Sequence, residues 1–331
     1  MKRSITLILA GVLSLSLTSI TQAAQPLSLD LGYALAEATP TGQAANHFAK
    51  VLKELSSGSI EVKTYHSSQL GSERELQEGN QLGSVDMALG GVATLSNFDK
   101  SFSVFDMPFV FSSYESVYKT YDSKFGAKLL DGLQKQNIKG LAFIDPGFGV
   151  FLTKNKELKK PSDLKGLNIR CMEAPGYITS LKAFGANPVQ SATSEVYTML
   201  QNGTVDGTIN PIGTIYSFSF YEHARYLSML RSWPSTVVLS MSLQRWNSLT
   251  PEQQGWVVKA AEQAKLHSRK VRQEMEDNWR ETMQKAGLIV TQYTEAEQAE
   301  WQQFAEKNIY PQFVPSFIPQ QLWDDYRASS K

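Results

Sequence analysis

The sequence predicts an α/β protein of two lobes, and three observations lead there. Strand-like and helix-like patterns alternate along the chain, as in parallel α/β units. A nine-residue phrase recurs: QLGSVDMAL at Gln81 to Leu89 and QNGTVDGTI at Gln201 to Ile209. Both end a helix pattern at glycine and run through Val-Asp into a strand, which suggests two lobes on one plan. Finally, a helical pattern opens at Pro251 and, past Gly255 in its first turn, runs without a breaker to Ala286. At 1.5 Å per residue such a helix is about 50 Å long, longer than a small domain is wide, so it is expected to span both lobes.

The elements follow in order. Leu27 to Ala34 alternates like a strand. Thr41 stands at an N-cap position before a helix over 42–55, whose apolar face is Ala44, Phe48, Val51, Leu52 and Leu55. Ile60 to Tyr65 alternates again. Ser72 caps a helix from Glu73 to Leu82, with Glu75 completing a capping box and Gly83 ending it. Val85 to Leu89 is the next strand, and its phrase ends at Gly90-Gly91. Gly166 to Arg170 is a short strand that ends on a guanidinium, a group rarely buried without a partner. The strand after the second phrase ends at Asn210-Pro211. Ligands of open α/β sheets bind beyond the carboxyl ends of strands, so both phrase ends are expected to face a shared cleft. Thr250-Pro251 opens the long helix with an N-cap and a proline at its first position, and Gly287 closes it.

Composition narrows the function. The chain has 331 residues, 32 Lys plus Arg and 32 Asp plus Glu, so its formal net charge is zero. It carries no basic surplus for a nucleic-acid backbone. The runs Lys154 to Lys160 and Lys265 to Arg272 are interspersed with acids or flanked by them and read as solvated surface. One cysteine, Cys171, cannot form an internal disulfide and lies near no base, so it reads as a small buried side chain. His47, His66, His223 and His267 show no metal-ligand spacing, and no phosphate loop, nucleophile elbow or full dinucleotide fingerprint is present. No cofactor is expected. The N-terminus pairs Met1-Lys2-Arg3 with an apolar run from Ile5 to Leu17 and small residues around Ala23. This predicts a secretory signal peptide over 1–23, because the run is too short to span a bilayer.

The residues also carry a resemblance. The stretches AEATPTGQAANHFAKVLKELSSGSIEVKTYHSSQLGSERE, KKPSDLKGLNIRCMEAPGY, FGANPVQSATSEVYTMLQNGTVDGTINPIGTIY and FYEHARYLSML resemble the substrate-binding proteins of tripartite ATP-independent periplasmic (TRAP) transporters, the family of the C4-dicarboxylate-binding component. They cover nearly all of the chain after residue 23, in the family's order. The resemblance implies a type II-like periplasmic binding fold with chain crossovers and a long helix across both lobes. The expected division is 24–147 plus 236–275 for lobe 1 and 148–235 plus 276–331 for lobe 2. The protein is then expected in the periplasm, as a monomer that is not an enzyme. Its partners would be a small carboxylate ligand and the membrane components of a TRAP transporter.

By the same resemblance, Arg170 is the family's carboxylate anchor, whose rigid fork matches a carboxylate with two parallel bonds. Asn210 is a second ligand contact, Glu73 takes the place of the family's acidic or polar residue, and Thr193 packs on the ligand. Tyr33, Met172 and Trp233 are candidate apolar or aromatic contacts. The sequence departs from the family at Gly147-Phe148-Gly149-Val150-Phe151, where a second arginine often stands, and at Gly91, where some relatives carry a side chain. With Phe148 and its neighbours offering no charge, the expected ligand is a monocarboxylate with a neutral remainder, such as a sugar acid. The alternative is that Arg74 replaces the missing arginine and restores dicarboxylate binding. Two other functions are weighed: a ligand-sensing subunit docking on a receptor, and a periplasmic enzyme acting on an organic acid.

Overall fold

The computed structural model describes residues 25–144 and 147–330. The signal-peptide segment 1–23 lies outside them. Among the described residues eleven strands form two sheets: β1 (Leu27–Tyr33), β2 (Ile60–Tyr65), β3 (Met87–Gly91), β4 (Ile138–Ile144), β5 (Phe148–Thr153), β6 (Asn168–Cys171), β7 (Asn187–Gln190), β8 (Gly207–Pro211), β9 (Tyr226–Pro234), β10 (Val237–Ser242) and β11 (Ile289–Thr291). The first sheet has the order β2-β1-β3-β10-β4, and the second β11-β9-β5-β8-β6-β7. The chain therefore crosses between sheets after β4, after β9 and again along the long helix.

The repeated phrase does the same work in both sheets. Its glycines, Gly83 and Gly203, end helices in the left-handed region, at φ 82° and 77°. Its aspartates both receive a backbone N–H from a neighbouring strand: Asp86 from Asp30, midway along β1, at 3.1 Å, and Asp206 from Asn168, the first residue of β6, at 2.8 Å. The strands that follow, β3 and β8, are wholly buried. Their ends, Gly91 and Asn210-Pro211, lie where the lobes meet.

The long helix runs from Pro251 to Lys285, with Thr250 as N-cap and Gln253 completing the capping box. Its first half packs Val257, Ala260, Ala261 and Ala264 into the core beneath the first sheet. Its second half packs Trp279 and Met283 into the helical side of the second. One rigid rod thus belongs to two cores. A third apolar cluster bridges the lobes. In it Tyr326, from the C-terminal helix Gln320–Ser329, sets its ring 5.5 Å from those of both Phe105 and Phe111.

One expected boundary is corrected. The first helix is Pro40–Leu55, and its N-cap is Thr39, not Thr41. Thr39 Oγ1 accepts the Gly42 N–H at 3.3 Å and Pro40 occupies the first helical position. This is the Thr-Pro start that also opens the long helix.

Candidate functional site

The site is built where helix and strand ends from the two lobes converge. On the first lobe, helix Glu73–Leu82 begins with a closed capping box: Ser72 Oγ accepts the Glu75 N–H at 3.4 Å, and Glu75 Oε2 accepts the Ser72 N–H at 2.8 Å. The cap fixes Glu73 in the first turn. Its Oε2 accepts the Gly91 N–H at 3.2 Å. A Cβ at position 91 would lie 2.6 Å from that oxygen and 3.1 Å from Met172 Cε, so a larger residue there would displace the Glu73 carboxylate.

On the second lobe, Arg170 stands on β6 and is 1% exposed. Thr208 lies opposite it in parallel register, so Arg170, Thr208 and Asn210 share one sheet face. The guanidinium is braced on one side. Nε donates to the Ser191 carbonyl at 3.1 Å, and Nη2 to the same carbonyl at 2.5 Å and to Thr193 Oγ1 at 3.4 Å. Nη1 is buried and has no hydrogen-bond partner among the described residues. A buried charged donor left unmade is costly, so this edge of the fork is built to meet an acceptor.

The crevice between these walls is narrow, with a cavity volume of about 20 Å³. Ala34, Ser68, Ser72, Glu73 and Thr94 line it from the first lobe; Arg170, Met172, Glu173, Ser191, Ala192 and Thr193 line it from the second. Asn97 Nδ2 donates to the Glu173 carbonyl at 2.8 Å and ties the two walls together beside it. Burial pushes the Glu73 carboxyl above its ordinary range. Arg170 and the Gly91 N–H pull the other way, and Glu173 adds to the rise. Burial likewise lowers the Arg170 pKa, while the neighbouring Glu73 and Glu173 carboxylates pull it back up; a guanidinium stays charged through such a shift. The Cys171 thiol is pushed up to about 12 by burial despite Arg170, so it is an inert core side chain. Among the described residues no cluster of three His, Cys, Asp or Glu can hold a metal ion.

The structure thus brings Glu73, Arg170, Met172 and Thr193 into one crevice, with Gly91 against it. Other expected contacts stand elsewhere. Arg74 is exposed, and its Nε pairs with Glu78 at 2.9 Å along the helix. Asn210 does not line the crevice; its Oδ1 accepts from Thr208 Oγ1 at 2.6 Å. Phe148 packs under Tyr114, with ring centroids 4.9 Å apart. Tyr33 is buried in the first-lobe core. Trp233 is corrected outright: it pairs with Gly149, whose neighbour Val150 pairs with Asn210, so it projects from the opposite sheet face. There it stacks on Tyr177 at 4.7 Å and gives its indole N–H to the Asp106 carbonyl at 2.7 Å.

Sequence reasoning missed Ala34, Ser68, Thr94, Glu173, Ser191 and Ala192 as lining residues, and read Ser72 only as a helix cap. Ser68 adopts φ 60°, a turn that a serine does not advertise. The one available signal was position, since Ser191 and Ala192 immediately precede the expected contact Thr193.

Chemically, the crevice offers one guanidinium edge for a carboxylate, hydroxyls from Ser68, Ser72 and Thr94, and a carboxylate acceptor at Glu73. The profile of the bacterial extracellular solute-binding proteins, family 7, matches residues 31–314. The 2,3-diketo-L-gulonate-binding periplasmic protein of Escherichia coli is 31% identical over 290 residues, 87% of each chain. A TRAP periplasmic solute-binding protein from a Polaromonas species, solved with bound D-erythronate, aligns at a TM-score of 0.85 and 29% identity, covering 92% of this chain and 98% of its own. One from Sulfurospirillum deleyianum, solved with bound succinate, gives 0.86 and 27%, covering 92% and 99%.

Proposed function

The chain belongs to family 7 of the bacterial extracellular solute-binding proteins, and on that premise we propose that it captures a small monocarboxylate, such as a sugar acid, between its lobes. It then delivers this ligand to the membrane components of a TRAP transporter. The observation that carries the reading is the braced Arg170 fork, with Nη1 turned to an acceptor that the described residues do not supply. One ligand carboxylate fits there. A second carboxylate would meet Glu73 and Glu173 in place of a cation, and an unpaired buried charge is costly. A polyhydroxylated remainder would instead find hydroxyls and an acceptor.

On this reading Asn210, on the strand beside Arg170, is a second contact that engages the ligand once its amide is released from Thr208. The lobes are 24–147 plus 236–275 and 148–235 plus 276–331, and the protein acts as a monomer without turning its ligand over. Residues 1–23 are a signal peptide removed on export, giving a mature start at Ala24 or one residue later. The ligand-bound names of the similar proteins, D-erythronate and 2,3-diketo-L-gulonate among them, support the acid class. The test is mass spectrometry of protein purified from the periplasm. Denaturing the natively purified protein should release a retained monocarboxylic acid, and the intact mass should start at Ala24 or one residue later. A retained dicarboxylate would overturn the ligand class, and an uncleaved chain the export step.

A further inference from the structure

Glu73 lines the crevice from the first turn of its helix. Its Oε2 is pinned to the Gly91 N–H at 3.2 Å, and the missing Cβ of Gly91 is what makes room for it. The carboxyl thus lines the crevice with Arg170 opposite. The charges that face it are few. From the second lobe they are the Arg170 guanidinium and the Glu173 carboxylate. From its own helix, Arg74 is turned outward to Glu78 at 2.9 Å, and Glu75 is held in the capping box. Cys171 and Tyr177 lie on the far side of Arg170 and are un-ionised near neutral pH. An ionised Glu73 therefore leaves the crevice with two acids and one cation, before any ligand arrives.

Resting on the carboxylate-binding reading above, we propose that Glu73 is a proton-gated specificity residue. Ionised, it bars a ligand's second carboxylate; protonated, it admits that group and donates a hydrogen bond to it. Burial favours the protonated form of Glu73, against the pull of Arg170 and the Gly91 N–H. By linkage, a dicarboxylate that binds only the protonated form takes up one proton, and its affinity falls about tenfold per pH unit above the Glu73 pKa of the free protein. A monocarboxylate anchored on Arg170 leaves Glu73 free to accept a hydroxyl, so its affinity stays within about threefold over the same range.

The experiment is calorimetry with D-erythronate and with tartrate, which remains a dianion, between about pH 5.5 and pH 8. Wild-type protein should bind erythronate throughout and tartrate only toward the acid end. Glu73→Gln should bind tartrate at the alkaline end at least about tenfold more tightly than wild type, with no pH slope. Titrations of wild type in two buffers of different ionisation heat count the protons directly, with about one expected per tartrate and none per erythronate. This readout stands even where the variant fails to fold. Erythronate binding together with a flat tartrate profile, a tartrate slope that persists in Glu73→Gln, or no tartrate binding at any pH overturns the gate alone. Absence of binding by every carboxylate at every pH overturns the parent reading as well.

Discussion

Replacing Arg170 probes the site at its anchor. The side chain is 1% exposed, and two of its nitrogens are committed to the Ser191 carbonyl. Arg170→Ala removes the only cation that lines the crevice among the described residues and leaves a ligand carboxylate desolvated without its partner. Truncating one member of such a pair costs about 2–5 kcal/mol, or roughly 30-fold to several thousand-fold in affinity. Arg170→Lys keeps the charge, but one ammonium cannot hold both Ser191 and a carboxylate with the fork's geometry. Its loss should fall between wild type and alanine. Calorimetry with the retained ligand measures both, and thermal melts separate lost binding from a loosened 191–193 segment. Wild-type affinity in a folded Arg170→Ala protein would refute the anchor role.

Other perturbations separate closure, core and site. Asn97→Ala removes the bond from the first lobe to the Glu173 carbonyl. A net hydrogen bond of about 0.5–1.5 kcal/mol should appear as a roughly two- to tenfold faster ligand off-rate, read by stopped flow, with the on-rate little changed. Trp233→Phe removes the indole bond to the Asp106 carbonyl; it should cost about 1–3 kcal/mol of stability by denaturant melts while leaving affinity intact. Asp106 is fully buried, facing Ser96 and the Gly176 N–H without a well-formed bond among the described residues, and burial pushes its carboxyl far up. The folded state holds a proton that the unfolded chain releases near about pH 4, so stability from this group is present below that pH and lost as pH rises. Asp106→Asn should therefore raise the melting temperature more at about pH 8 than at about pH 5; equal gains would contradict the sign.

Much of the architecture was legible because local chemistry and tertiary structure agree. Glycine ends, capping boxes and the Val-Asp phrase act within a few residues, and they placed Ser72, Glu75, Gly83 and the long helix. Arg170 was legible because a guanidinium at a strand end needs a counter-charge. Trp233 was not, because the face it takes is set by the pairing of β9 with β5, where the register shifts between Gly149 and Phe151. A shift of one residue inverts a side chain. Thr39 was missed because Thr41 offers the same hydroxyl, and only the position of Pro40 decides between them. The first-lobe wall at Ser68 and Thr94 is assembled by long-range packing that no local pattern records.

The central claim is a site for one carboxylate, and a thermal-shift panel near neutral pH tests it most directly. At about 100 times its dissociation constant a ligand stabilises by about 2.7 kcal/mol, a clear rise in melting temperature. Sugar acids and other monocarboxylates should give that rise, while succinate, malate and fumarate should give little. Strong shifts with those dicarboxylates, and none with any monocarboxylate, would contradict the account.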